Sequence, residues 1–321
     1  MTVAERTRPG RGAVGASPRP GRRRPRGRST RPWLLLAPAL LVMGGLLLYP
    51  LVRVLVLSLQ DFGLRELVSG RTNWVGFDNY AELLANPDLW RTVLPNTVVF
   101  AVVAVALTVV VGTLVALLLA RLSPVVRGLV TTAILVAWAI PAVTGTYVWV
   151  FIFTPVDGIA VQALDALGLI DAATANPFSD RLSFYAVATL NVVHHGFPFV
   201  ALTVLAGLLT IPQELTEAAV IDGAGPWRRF WSLTFPMLRP VFAVVTVLST
   251  IWDFKVFTQI YLMPGGDGVN RNVLTLGTWS YVESFAQNRY GLGAAIAVLL
   301  TALLLIITAV YLRLLFREEE L

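Results

Sequence analysis

Six stretches of this chain stay apolar long enough to cross a bilayer as a helix, which takes about 20 residues. They are Trp33–Leu59, interrupted only by Arg53; Asn96–Ala120, without a charge; Gly128–Phe153; Leu182–Ile211, uncharged apart from His194 and His195; Val241–Met263, carrying Asp253 and Lys255; and Gly291–Leu312. The runs are continuously apolar, whereas barrel strands alternate over about ten residues, so helices are expected. Between them lie a polar segment at 60–95, whose Gly70, Asn73, Trp74, Asn86, Pro87 and Asp88 suggest a loop with short interfacial helices, and a loop at 210–240. The pattern predicts an all-α integral membrane fold of six transmembrane helices.

Composition strengthens this expectation. Hydrophobic residues make up 56% and charged residues 14% of the 321-residue chain, and the mean hydropathy is +0.72; a soluble chain averages about 25% charged. Cysteine is absent, which excludes disulfides, thiolate catalysis and Cys-ligated metal. Two adjacent histidines, pointing about 100° apart on a helix, make no metal site. Lys255 is the one lysine, and Trp252-Asp253-Phe254-Lys255-Val256 around it is not glycine-rich. A Walker A loop needs G-x-x-x-x-G-K-[ST] to cradle phosphate. ATP, if it drives this protein, is therefore brought by another subunit; no catalytic residue or cofactor is expected here.

The positive charge is local. Residues 1–32 hold ten arginines against Glu5, a net +9 that leaves −3 for the rest. A tail of Arg, Pro, Gly and Ser cannot bury a core. It reads as a disordered cytoplasmic topology signal and not as a nucleic-acid site. Arginine placement in the later loops agrees. Arg121, Arg127, Arg228, Arg229, Arg239, Arg313 and Arg317 fall on the same side as the tail, and Asp157, Asp165, Asp171 and Asp180 cluster on the other. Both termini, including 317–321, are then expected in the cytoplasm of a bacterial cell, with the chain multi-pass in its plasma membrane.

The loop between the fourth and fifth runs reads as a short helix, a turn and a second short helix. Thr210 with Gln213 suits a capping box, Gly223 is placed to stop the first helix and Pro226 to begin the next. Ala218, Ala219 and Ala224 are small enough for another surface to approach closely. Trp227, Phe230 and Trp231 recur at i, i+3, i+4, and Glu217, Asp222, Arg228 and Arg229 add charge. Such a helix can enter a hydrophobic socket on a partner or lie on lipid, and spacing alone leaves both open.

In this loop the sequence resembles a known family. Glu217-Ala218-Ala219, then Asp222-Gly223-Ala224, then Phe230, Leu233, Pro236 and Pro240 are similar to the EAA loop of binding-protein-dependent ABC importer permeases. Leu36-Ala37-Pro38, Tyr49-Pro50, Val75-Gly76-Phe77-Asp78-Asn79-Tyr80, Asn96-Thr97-Val98-Val99-Phe100, Pro198-Phe199 and Ala206-Gly207-Leu208 extend the likeness over residues 33–316. It is closest to the sugar-type branch, the MalF-like or UgpA-like first permease subunit. Two departures, Gly265-Gly266-Asp267 in place of Gly-Gly-Pro and His194 or His195 in place of tryptophan, lie on the substrate side.

The resemblance implies a type I ABC importer transmembrane domain over 96–316, with 33–59 as a preceding helix and 60–95 outside the cell. It also implies a MalG-like second permease, two ABC ATPase subunits and an extracytoplasmic solute-binding protein or lipoprotein that delivers a sugar-like solute. Glu217, Ala218, Ala219, Asp222, Gly223, Ala224, Phe230 and Pro236 would then couple to an ATPase.

Ionisable groups at membrane depth are costly and mark paths or partners. Asn191, His194, His195, Trp252, Asp253, Lys255 and Gln259 are accordingly the candidate solute path or gate, with Trp138 and Tyr147 as further stacking surfaces. Packing is the alternative, with Asp253 and Lys255 each neutralised from another helix; at i, i+2 they cannot pair with each other. Pro141 and Pro198 are candidate kinks in the third and fourth runs, and Gly112 a close-packing point. The rival reading, an ion-gradient-driven secondary transporter, would show broken helices in related repeats, and the chain has no evident repeat.

Overall fold

The structure, a computed structural model, describes residues 31–319, with side chains described for 34–313. The expected Arg-rich tail lies almost entirely outside the described residues, as does the extreme C-terminus. No strand occurs among the described residues, which hold only two isolated bridges, Gln60 with Trp74 and Gly63 with Arg289. Two compact units divide at Tyr49 and Pro50, and everything that positions the site belongs to the second.

Among the described residues, five helical stretches are long and apolar enough to cross a membrane: Leu34–Leu57, Leu89–Arg121, Arg181–Leu208, Arg239–Tyr261 and Tyr290–Arg313. The third expected run differs. It forms two helices, Pro124–Trp138 and Ala142–Ile152, bent by 91°. A sixth crossing is complete only if this bent pair counts as one. The cause is local: Pro141 has no N–H to continue a helix and constrains Ile140 before it. Pro198, by contrast, sits inside the unbroken helix Arg181–Leu208.

Other boundaries shift for equally local reasons. The second span starts at Leu89, inside what the sequence assigns to the outer loop, because a π turn at Leu89–Val93 leads directly into Leu94–Arg121. The loop before it contains short helices at Leu64–Ser69 and Asp78–Ala85. The fifth span breaks: its α-helix ends at Phe254 and resumes as one turn at Thr258–Tyr261. The last helix runs from Tyr290 to Glu319, through the residues expected as a separate tail.

The second and fourth spans pack most closely. A Cβ at Gly112 would come within 2.6 Å of Val200 Cβ, and one at Gly196 within 3.0 Å of Thr108 Cγ2. Gly112 is thus a point of close approach, the role small residues take between membrane helices. Three apolar clusters fill the bundle. One, around Phe184, Val187, Ile260 and Val273, joins the fourth and fifth spans near the end away from the 210–240 loop. A second, around Leu89, Leu276, Trp279 and Ile296, holds the last span. The third, around Ala116, Val200, Val204, Leu238 and Phe242, lies beside the 210–240 loop.

Candidate functional site

The two interrupted spans meet at one cavity of about 340 Å³. Trp138 closes the helix before the 91° bend, and Trp252 through Gln259 bracket the break in the fifth span; His195, Gly196 and Phe199 face them from the fourth. Irregular backbone at membrane depth is tolerated where it lines a cavity or is buried in protein. The break in the fifth span obeys that rule here, whereas Ala139, Ile140 and Pro141 at the bend of the third run are exposed and only Trp138 beside them reaches the cavity.

Aromatic rings form one side of the lining. Phe199 lies 4.9 Å from Trp252, edge to face, and 6.4 Å from Trp138. Polar groups supply the rest: His195, Asp253, Lys255, Thr258 and Gln259. Asp253 is buried at 8% exposure and its Oδ2 has no hydrogen-bond partner. Lys255 is exposed and caps the broken helix, its N–H donating to Trp252 O at 3.1 Å. The two side chains form no salt bridge with each other. The arrangement is an aromatic slot with donors and acceptors around its edge, suited to a neutral or weakly charged polyhydroxylated solute.

The sequence-derived path residues separate into two groups. His195, Trp252, Asp253, Lys255 and Gln259 line the cavity; Asn191 and His194 do not. Asn191 is buried and donates through Nδ2 to Thr146 Oγ1 at 3.3 Å. His194 turns to the third run, with its ring 5.7 Å from that of Trp149. Tyr147 is exposed, away from the cavity, whereas Phe199, Val256, Phe257 and Thr258 join it without having been singled out. A ring four residues from His195 on the same helix face is the signal that would have found Phe199.

The loop between the fourth and fifth spans builds a second site. Its first helix is Gln213–Ile221. Gly223, at φ +75°, ends it in the left-handed conformation. Ala224 N–H donates to Ala219 O at 2.9 Å and Gly223 N–H to Val220 O at 3.0 Å, the two bonds of a Schellman stop. The capping box expected from Thr210 and Gln213 is not formed. Pro212 occupies the cap, and Thr210 Oγ1 instead donates back to Gly207 O at 2.7 Å, finishing the preceding span.

This helix has no buried residue. Glu217, Ala218, Asp222 and Gly223 are exposed, Ala219 and Ala224 half-exposed. Ile221 is 86% and Trp227 75% exposed. The second loop helix starts at Pro226, passes through a π turn at Phe230–Thr234 and reaches Met237. Its aromatic face is split. Phe230 and Phe235 pack inward against the third core cluster, with Pro236 half-buried alongside, while Trp227 and Trp231 remain outside as an edge-to-face pair at 5.7 Å. One hard point therefore anchors the loop to the bundle and leaves the Glu217–Gly223 turn projecting.

At the opposite end, side chains tie the 60–95 segment and the residues around 272–289 to the bundle. Asn79 Nδ2 donates to Ser58 O and Gln60 O, both at 2.9 Å. Asn96 Nδ2 donates to Asn272 O and Leu274 O at 2.9 Å, and Thr97 Oγ1 accepts from Leu276 N–H at 2.9 Å. The Asp78-Asn79-Tyr80 and Asn96-Thr97 matches to the family thus hold structural positions. Arg289 joins Glu82 at 2.6 Å and Glu283 at 3.7 Å. The hydrogen bonds that the guanidinium donates to Glu82 raise its pKa above its already high ordinary value.

Comparison with known proteins agrees with this architecture. Residues 109–318 match the family described as binding-protein-dependent transport system inner membrane component. The chain is 42% identical over 289 residues to the diacetylchitobiose uptake system permease protein DasB of Streptomyces coelicolor, covering 90% of this chain and 88% of that one. It is 32% identical to the trehalose transport system permease protein SugA of Mycobacterium tuberculosis, covering 88% and 87%. In fold it is similar to a chain in the crystal structure of a bacterial ABC transporter that imports the acidic polysaccharide alginate, with TM-score 0.74 and 21% identity over 90% of this chain and 96% of that chain. The bundle, the projecting loop and these likenesses converge: this multi-pass membrane chain belongs to the family of binding-protein-dependent transport system inner membrane components.

Proposed function

We propose that this chain is the sugar-type permease subunit of an ABC importer. It would enclose, with a MalG-like second permease, the path of a solute delivered by an extracytoplasmic binding protein. The carrying observation is the cavity where the breaks in the third and fifth spans converge. Its aromatic walls and its ring of His195, Asp253, Lys255 and Gln259 fit a sugar, whose ring faces stack and whose hydroxyls both donate and accept. Relatives named for diacetylchitobiose and trehalose support a small saccharide.

ATP enters through other subunits on this reading. The exposed Glu217–Gly223 turn, with Ala218, Ala219, Asp222 and Ala224, inserts into an ATPase partner on the cytoplasmic side, and Phe230 and Pro236 fix it to the bundle. Closure of two ATPases then biases the cavity between inward-facing and outward-facing states, as a ligand biases any two-state element. Both termini are cytoplasmic in this orientation. An ion-gradient carrier is disfavoured by the family match, and such a carrier would need no projecting helix.

The test is uptake of radiolabelled diacetylchitobiose and trehalose by the assembled transporter in proteoliposomes. Trp252→Ala and Lys255→Ala should each lower sugar uptake about tenfold or more while the subunits still co-purify. Wild-type rates in both variants would remove the cavity from the path.

A further inference from the structure

The aromatic lining continues outward beyond the cavity. Phe257, at the cavity wall, stacks on Tyr261 at 4.9 Å and meets Tyr281 at 5.0 Å. Tyr261 and Tyr281 are also 5.0 Å apart, and Tyr281 lies 4.8 Å from Phe285. Phe285 reaches Tyr290 at 6.1 Å, and Tyr290 reaches Phe62 at 6.3 Å. Six rings therefore form an unbroken chain from the cavity to the outer loop that begins the 60–95 segment.

Most of an aromatic cluster this size belongs in a core, yet this one is open. Tyr281 is 36% and Phe285 62% exposed, and the other four rings are half-buried. The helical turns that carry Tyr281 and Phe285 are held from behind. Trp279 and Val282 are buried in the cluster under the last span, Trp279 Nε1 donates to Glu283 Oε1 at 3.0 Å, and Arg289 braces Glu283. The backing side is thus held in place, Tyr281 and Phe285 are left exposed, and Phe257 and Tyr261 cover one face of each other by stacking. A contiguous exposed apolar strip on fixed backbone marks a contact surface. Its physical continuity with the cavity identifies what it contacts.

We propose that these six rings form a sugar-conducting ladder, on which a pyranose-based solute moves between the outer mouth and the cavity by stacking from ring to ring. This rests on the proposed role of the cavity. Aromatic faces carry negative charge and attract the slightly positive C–H face of a sugar ring. Stacking of this kind tolerates sliding, because each face offers the same interaction without fixed hydrogen-bond partners. With rings 4.8 to 5.0 Å apart from Phe257 to Phe285, the solute engages the next face before releasing the last.

The experiment compares Tyr281→Leu/Phe285→Leu with Tyr281→Phe in the complete transporter, using radiolabelled diacetylchitobiose and trehalose. Leucine keeps the strip apolar and abolishes the ring face. The double leucine variant should lower uptake about tenfold, from two stacking contacts each worth about 0.5–1.5 kcal/mol, with unchanged co-purification of the second permease. Tyr281→Phe should restore most of the rate. Wild-type uptake by the double variant, or equal loss in Tyr281→Phe, would overturn the ladder. Loss of the second permease from the purified double variant would show instead that the strip is a subunit contact, which also overturns it. A double variant with normal uptake beside a defective Trp252→Ala would sink the ladder alone; normal uptake in both would sink the cavity as well.

Discussion

The two ends of the bundle are built on opposite plans. At the end away from the 210–240 loop, segments distant in sequence are locked by side chains: buried Asn79 to the end of the first span, buried Asn96 and Thr97 to residues 272–276, and the half-exposed pair Arg289 and Glu82 across 207 positions. At the inner end, the helix Gln213–Ile221 buries nothing, and Glu217 and Asp222 make no ion pair with a described residue. The first end ties its segments together with its own side chains, leaving Asn96 Oδ1 as a buried atom without a partner, whereas the second leaves a shaped, charged projection for something else to satisfy. A protein that only needed to stand in a membrane would have no reason to differ so sharply between its ends.

The strongest way to break that contrast is at the projection. Glu217→Arg with Gly223→Val should abolish sugar uptake, a loss of 100-fold or more, and uncouple it from ATP hydrolysis by the partner subunits. The charge is reversed, and a β-branched residue is forced into the left-handed conformation that glycine holds at φ +75°. The bundle should remain folded, because neither side chain contributes to a core. Uptake and ATPase rates measured on one preparation check this, and coupled transport at the normal rate would refute the role of the loop.

The outer end should respond in stability first. Asn96→Leu removes two hydrogen bonds, stranding the buried carbonyl of Leu274 and taking a partner from the carbonyl of the exposed residue Asn272. The expected cost is about 2–4 kcal/mol, read as a lowered midpoint of thermal unfolding in detergent. If the midpoint stays within a degree, the outer lock is not what holds these segments.

Much of this contrast was legible in sequence, and the parts that were not share a cause. Glu217-Ala218-Ala219 and Asp222-Gly223 identify the inner loop because its features are local: a helix, a glycine stop and small residues at fixed spacing. Asn79 and Asn96 stood out as family matches, yet their function is to bond backbone carbonyls, as far as 178 positions away for Asn96, and no spacing rule reports such partners. The cavity was half visible. Trp252, Asp253, Lys255 and Gln259 were apparent as polar or aromatic groups in an apolar run, but the break after Phe254 has no glycine or proline to announce it. Pro141 signalled a kink, while the 91° angle depends on how the two short helices pack. His194 and His195 were inseparable on paper because adjacent residues differ only by rotation about the helix, and packing decides which one faces the cavity.

Between the two ends, the crossing of the second and fourth spans offers a graded test. Gly112→Ala places a Cβ within 2.6 Å of Val200 Cβ, so one helix must shift. Overpacking of this size costs about 1–3 kcal/mol. The thermal midpoint should fall less than in Asn96→Leu, and Val200→Ala in the same chain should leave most of the loss in place, because alanine keeps the Cβ that lies 2.6 Å away. Full rescue by that second change would mean that the strain lies at the γ carbons of Val200 and not at the backbone approach.

The smallest expected effect is at Arg289, and its size follows from exposure. The guanidinium is bonded to both oxygens of Glu82 at 2.6 Å, but the side chains are 46% and 51% exposed, and exposed ion pairs contribute about 0–1 kcal/mol. Its pKa is raised by Glu82, so any stability this linkage supplies is fully present below the ordinary arginine value and would be lost only as pH rises above it. That range is beyond the reach of a folded membrane protein, and salt becomes the useful variable. Arg289→Gln should lower the thermal midpoint slightly at low ionic strength and hardly at all in 1 M salt, where the Debye length is about 3 Å. A large loss that persists in high salt would show that the Arg289 side chain acts through its two hydrogen bonds to Glu82 more than through screened charge, because glutamine keeps the main-chain N–H that donates to Glu283 O at 2.8 Å and the bridge to Gly63. The lock at this end would then rest on hydrogen-bond geometry, and its contrast with the carboxylates of the 210–240 loop would not be one of charge.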